Sequence, residues 1–348
     1  MQAMTVVPGS KGSARVEEVP DPDSRNGVLL VRGLSIGVCG TDREIADGGY
    51  GTAPPGHTTL IIGHESLGEV LEAPEGSGFS AGDLVVGIVR RPDPVPCPAC
   101  RDGEWDMCRN DMFGERGIVR LHGYGSELWQ LEPDFAVSVP ARVGGLGVLL
   151  EPASVLAKAW DQVDQISRRA FFVRGRALVT GAGPIGLMAC LLGVQRGYQV
   201  HVVDLAVGGP KPGLVEELGA TYHAGDAADI DVEVDVVIEC TGLGAVGRSA
   251  ARVLVSGGIM CLTGIMNLDP TLDLDATSLN RKMVLHNQVL FGTVNAGRRH
   301  WQQATVALDA ADPRWLSALI TRRVPITRWT DALERQPDDI KVVVDLST

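Results

Sequence analysis

The chain has 348 residues, 45% hydrophobic and 21% charged, with a formal net charge of −12. That length is too great for one small core and suits two domains, and the composition is that of a globular chain, not a disordered one. The acidic balance argues against a nucleic acid or an anionic membrane surface as partner, no apolar run reaches the ~18–20 residues of a membrane span, and the first residues, MQAMTVVPGSKGSARVEEV, lack the apolar stretch of a secretion signal, so a cytoplasmic location is expected.

The first 150 residues are rich in Gly and Pro, with short β-type runs in GVLLVRGLSIGV (27–38), GDLVVGIV (82–89) and AVSVP (136–140), which predicts a turn-rich β domain. Within it, SIGVCGTD brings Cys39 and IIGHESLGEV brings His64 and Glu65. A thiolate, an imidazole and a carboxylate are the ligand types of a catalytic zinc, with Glu65 or the distant Glu151 as the carboxylate. A core cysteine beside a polar turn is the other reading, and spacing alone does not bring the residues together. Thr41, two residues past Cys39, is placed to start a proton relay or to bond its own backbone as a turn hydroxyl. Cys97, Cys100 and Cys108 crowd into twelve residues, which in a chain without a secretion signal reads as a metal site before a disulfide framework.

From about residue 160 strands alternate with helices. RALVTGAGPIGLMACLLGVQRGY (176–198) reads as strand, glycine turn and helix, QVHVVDL (199–205) as a strand, and PGLVEELGA (212–220) as a short helix. VDVVIECTG (234–242), GGIMCLTGI (257–265) and NQVLFGTVN (287–295) follow as strands, with AVGRSAARVLV (245–255) as a helix between. Such alternation predicts a doubly wound parallel sheet. Gly181-Ala182-Gly183-Pro184-Ile185-Gly186 fits G-x-G-x-x-G between strand and helix, and Asp204 stands 23 positions after Gly181 at the end of the next strand. In that setting the turn suits a dinucleotide pyrophosphate. Asp204 suits the adenosine ribose and favours NAD, while Lys211 could reach a 2′-phosphate. Thr241, Gly242 and Asn295, each at a strand end, complete the expected cofactor-binding set. The last fifty residues are too few for a domain and are expected to pack back on the N-terminal part.

GVCGTD, GHESLGEV, GDLVVG, the cysteine cluster and VTGAGPIG, in that order, resemble the zinc-dependent medium-chain dehydrogenases along nearly the whole chain. FGERGIVRLHGYGSE (113–127), LLEPASVLAKA (149–159) and RKMVLHNQVLFGTVNAGRRHW (281–301) resemble the glucose and related aldose 1-dehydrogenases among them. The resemblance implies a GroES-like β-rich catalytic domain over 1–160 and 297–348, a Rossmann domain over 161–296, and a dimer or tetramer. It implies a catalytic zinc on Cys39, His64, Glu65 and Glu151, the last also a proton acceptor where alcohol dehydrogenases often have Cys. In the second cluster the family has four cysteines. Here Pro94 occupies the first slot, so either Asp93 completes a tetrahedron with Cys97, Cys100 and Cys108, or the lobe carries free thiols. Glu115 and Asn295 fall where sugar dehydrogenases of this type hold ring hydroxyls, with His122, Asn287 and His57 as weaker candidates. The expected reaction is hydride transfer from the anomeric carbon of an aldose, glucose first, to NAD(P)+, leaning to NAD. The alternatives are another polyol, an amino-sugar or a cyclitol of secondary metabolism, a zinc-free reductase, and a catalytically silent nucleotide-binding or redox-sensing protein.

Overall fold

The computed structural model describes residues 1–23, 27–265 and 276–347. The chain divides into two compact units, Met1–Ser154 with Asn295–Thr348, and Val155–Val294. The first boundary lies earlier than the expected 160/161 and falls inside the helix Leu150–Ser167.

The first unit is built on the strand Leu29–Val38, whose Leu29, Val31, Ile36 and Val38 are buried. It pairs antiparallel with Glu65–Glu72, with Leu128–Leu131 and with Lys341–Asp345. The sheet continues through Leu84–Gly87 to Ala136–Ser138 on one side and through Ile320–Pro325 on the other. The final strand reads KVVVD, and its first four residues are buried. A nearly unbroken apolar run is the signature of a strand covered on both faces. Its place next to Leu29–Val38 brings residue 341 beside the start of Glu65–Glu72.

The second unit is a six-stranded parallel sheet in the order Thr221–Ala224, Gln199–Asp204, Arg176–Thr180, Val234–Glu239, Leu254–Leu262, Val289–Gly292. This is the 3-2-1-4-5-6 order of a dinucleotide-type doubly wound fold, as the alternation predicted. One boundary differs. The expected helix over 245–255 stops at Ala250, and the strand expected from 257 begins at Leu254. Leu254 pairs in register with Val234 and joins the core of Leu178, Val203, Val237 and Met260, so packing draws the apolar end of ARVLV into the sheet.

The glycine turn joins Arg176–Thr180 to the helix Pro184–Gln195, whose N-cap Gly183 has no side chain to close the free N–H groups. Gly181 N–H donates to Val203 O at 2.7 Å. A Cβ on Gly186 would lie 1.8 Å from Gly181 O, so the helix packs on its own turn only because residue 186 has no side chain. Gly186→Ala is therefore expected to force the turn open and to lower the unfolding free energy by about 1–3 kcal/mol, measured by urea titration.

Candidate functional site

Cys39 ends the central strand and caps the helix Gly40–Ala46. Its thiol accepts Thr41 N–H at 3.2 Å, and its own N–H donates to Asp42 Oδ2 at 2.9 Å. The other oxygen of Asp42 stands 3.4 Å from His64 Nδ1, which turns Nε2 of the ring to within 3.1 Å of Cys39 Sγ. Glu65 opens the neighbouring strand, and its carboxylate completes a set with Cys39 and His64 whose ligand atoms all lie within 4.8 Å of one another. Sulfur, nitrogen and oxygen at that spacing are the donor set of a catalytic zinc, and a carboxylate behind the imidazole is the usual outer support of such a ligand. Burial pushes the His64 imidazole down, and the Cys39 and Asp42 charges outweigh it, holding the ring well above its usual range. The pocket therefore favours positive charge.

Glu65 is also tied from behind. Lys341 Nζ reaches both of its oxygens at 2.6 Å, with both side chains almost wholly buried. The carboxylate fits because its cross-strand partner is Gly37, where a Cβ would lie 2.0 Å from Glu65 Oε2. Glu151 lies outside the three-residue set, at the start of the helix Leu150–Ser167. Burial, opposed by His64 and reinforced by Glu65, pushes its acid up to about 7. Thr41 is half-buried, and among the described residues no group bonds its hydroxyl.

The second cluster brings Cys97, Cys100 and Cys108 together within the same 4.8 Å limit. Cys97 Sγ accepts the backbone N–H groups of Arg109 and Cys100 at 3.4 and 3.5 Å and lies 3.6 Å from Cys100 Sγ. Asp93, expected as a fourth ligand, does not join them. Its oxygens are turned to Val95 N–H at 2.8 Å and Asn110 Nδ2 at 2.7 Å, which satisfies the buried carboxylate without a metal. Three thiols at this spacing fit a zinc ion.

Asp204, expected at the ribose, accepts Ala182 N–H at 2.7 Å and Ala206 N–H at 2.9 Å, and Lys211 Nζ stands 3.2 Å from it. These bonds hold the carboxylate ionised, below its usual range, against the burial that would raise it. Thr241 and Gly242 follow the strand Val234–Glu239, and both donate backbone N–H groups to Glu239, at 2.8 and 3.1 Å. Pro184 and Ile185 form the first turn of the following helix.

Glu115 Oε1 accepts Arg90 Nε at 3.0 Å, Arg90 Nη2 at 2.9 Å and Asn295 Nδ2 at 2.8 Å. Glu115 and Asn295, paired in expectation, are thus in contact, and Asn295 belongs to the first unit. Its amide faces Glu115. The weaker sugar candidates lie elsewhere. His122 Nδ1 accepts Ile61 N–H at 3.1 Å with His57 edge-on to its ring at 5.0 Å, and Asn287 offers its carbonyl to Arg169 in the second unit.

Asp42, Arg90, Glu239 and Lys341 escaped the sequence reading. Asp42 sits in the quoted GVCGTD, three residues after Cys39, and Lys341 is a lone charge heading an apolar strand. A lysine there is buried only if paired, which was the available signal.

Lys341→Met, by leaving Glu65 charged and alone out of water, is expected to cost about 3–5 kcal/mol of stability, and adding Glu65→Gln should recover most of it, read by urea unfolding. His122 carries a second test. Burial, with His57 and Arg116 nearby, lowers its pKa from 6.5 to about 4. The unfolded chain thus takes up a proton that the fold refuses, so stability is full above pH 6.5 and falls as the pH drops toward 4; His122→Gln should flatten that slope in Tm against pH.

Residues 25–141 match the alcohol dehydrogenase GroES-like domain, and residues 144–346 match the family described as glucose dehydrogenase C-terminus. The glucose 1-dehydrogenase of Methanocella arvoryzae is 37% identical, over 99% of each chain. That of Thermoproteus tenax is 38% identical over the full length of both. Among solved structures, Haloferax mediterranei glucose dehydrogenase in complex with NADP, Zn and gluconolactone superposes with a TM-score of 0.91 over the whole of both chains at 32% identity. The chain belongs to the glucose dehydrogenase family of zinc-dependent medium-chain dehydrogenases.

Proposed function

We infer that this chain is a zinc-dependent aldose 1-dehydrogenase that oxidises glucose at its anomeric carbon to the lactone, with NAD(P)+ as hydride acceptor. The observation that carries the reading is the convergence of Cys39 Sγ, His64 Nε2 and a Glu65 oxygen within 4.8 Å, in a chain that spans the full length of glucose 1-dehydrogenases. Zinc held by Cys39 and His64, with a carboxylate from Glu65 or Glu151, would supply Lewis acidity toward the hydroxyl oxygen on the carbon that is oxidised. The dinucleotide supplies the two-electron acceptor.

The chain's own groups do the rest. Thr41, with its hydroxyl unengaged, donates to or accepts from the reacting hydroxyl and passes its proton on. Glu151, with its acid at about 7, is matched to receive that proton near neutral pH. Lys341 sets how readily Glu65 turns toward a metal, because each carboxylate oxygen it holds is one a cation must compete for. Glu115 accepts a ring hydroxyl of the sugar. Gly181, Gly183 and Gly186 give the pyrophosphate its approach to the helix N-terminus, beside Thr241 and Gly242. Asp204 takes the adenosine ribose, and Lys211 beside it offers a charge for a 2′-phosphate, so the site suits either dinucleotide.

No helix among the described residues is long and apolar enough to cross a membrane. All seven cysteines are free, which supports a reducing compartment such as the cytoplasm, and a homo-oligomer is proposed by likeness to the family.

Glucose and galactose should reduce NAD+ or NADP+ at far higher kcat/KM than sorbitol, inositol or ethanol, followed by absorbance of the reduced cofactor. A chelator should abolish the rate and zinc restore it. Full activity in protein shown metal-free by elemental analysis, or turnover of the polyols in preference to the aldoses, overturns the reading.

A further inference from the structure

We propose that Arg90 is a positioning residue for sugar recognition: by binding one oxygen of Glu115 with two donors, it leaves the other oxygen to accept a ring hydroxyl of a neutral aldose. The inference rests on the aldose reading above.

An arginine facing a carboxylate ordinarily spreads its fork over both oxygens. Here Nε and Nη2 both go to Oε1, at 3.0 and 2.9 Å, and Asn295 Nδ2 adds a third donor to the same atom at 2.8 Å. Among the described residues no group donates to Oε2. One oxygen is saturated and the other free.

The arrangement is held on every side. Arg90 and Glu115 are register partners on the paired strands Arg90–Arg91 and Gly114–Arg116. Arg90 Nη1 donates to Asp106 O at 3.1 Å, and the guanidinium lies over the Phe113 ring, 3.8 Å from its centroid. Asn295 sits in the left-handed region at φ 60, with its Oδ1 fixed by Ala296 N–H at 2.8 Å. The Arg90 and Glu115 side chains are 9% and 6% exposed. The charge of the carboxylate is offset within the pair, and its open oxygen is left as one acceptor. That is a group for a neutral hydroxyl, and an ammonium or a sugar acid gains little from it.

The test compares the wild-type holoenzyme with Arg90→Met, Arg90→Lys, Glu115→Gln and the double variant Arg90→Met/Glu115→Gln, on glucose and on a set of monodeoxyglucoses. The wild type should disfavour one deoxy sugar by about tenfold or more in kcat/KM, the worth of a hydroxyl bonded to a buried charged acceptor. Arg90→Met should raise KM for glucose about tenfold while kcat holds within about threefold, and should lose discrimination against that same analogue. Arg90→Lys should recover part of both. The double variant removes the unpaired buried charge, so it remains informative where the single variant folds poorly; it should match Glu115→Gln alone. Unchanged KM and intact deoxy discrimination in Arg90→Met, or losses that multiply in the double variant, overturn the proposal while aldose oxidation by the wild type stands. Absence of aldose turnover by the wild type overturns the aldose reading, and this inference with it.

Discussion

Taking a carboxylate and an ammonium out of water costs several kcal/mol for each ion, and the loss is repaid only when the two meet at close range with their remaining bonds satisfied. Glu65 and Lys341 meet that condition at 2.6 Å, almost wholly excluded from solvent. The pair fixes more than itself. It anchors the side chain next to His64 and sets the register of the last strand against Leu29–Val38, and it needs Gly37 bare of a side chain. The ligand geometry around Cys39 and His64 therefore depends on a contact between residues 276 positions apart.

That separation explains what could and could not be read from the sequence. The glycine turn was legible because all of its logic is local: strand, turn and helix are consecutive, and the acidic residue follows at a fixed interval. Cys39, His64 and Glu65 were legible as donor types but not as a cluster, since nothing in their spacing specifies how two neighbouring strands align. Arg90 gave no signal, and Lys341 only that of a lone charge heading an apolar strand, because each is defined by a partner on another strand. Asp93, left open as a fourth ligand, shows the opposite situation. Chain proximity puts a carboxylate near three thiols, but its bonds to Val95 N–H and the side chain of Asn110 are fixed by a local turn that the spacing of the cysteines does not encode. The helix end at Ala250 was lost to tertiary packing, which drew Leu254 into the sheet.

Within each unit the fold delivers function at strand ends. In the first, Cys39 and His64-Glu65 sit where strands stop or start, so their backbones are held by the sheet while the side chains stay free to converge. In the second, Asp204 ends one parallel strand and Thr241 follows another, at the edge where doubly wound sheets present their ligands. Glu239 gathers the Thr241 and Gly242 N–H groups there, which ties the start of that loop back to the strand end.

The strand Lys341–Asp345 lies between Leu29–Val38 and Ile320–Pro325. In chain order this strand follows both Glu65–Glu72 and the whole second unit. Without it Glu65 lacks its counter-ion and the central strand has an open neighbour, so the thiol and imidazole stand in a half-made sheet. The ligand arrangement is consequently complete only once this strand has docked, so a substitution that loosens its pairing with Leu29–Val38 reaches the zinc-ligand residues without touching them.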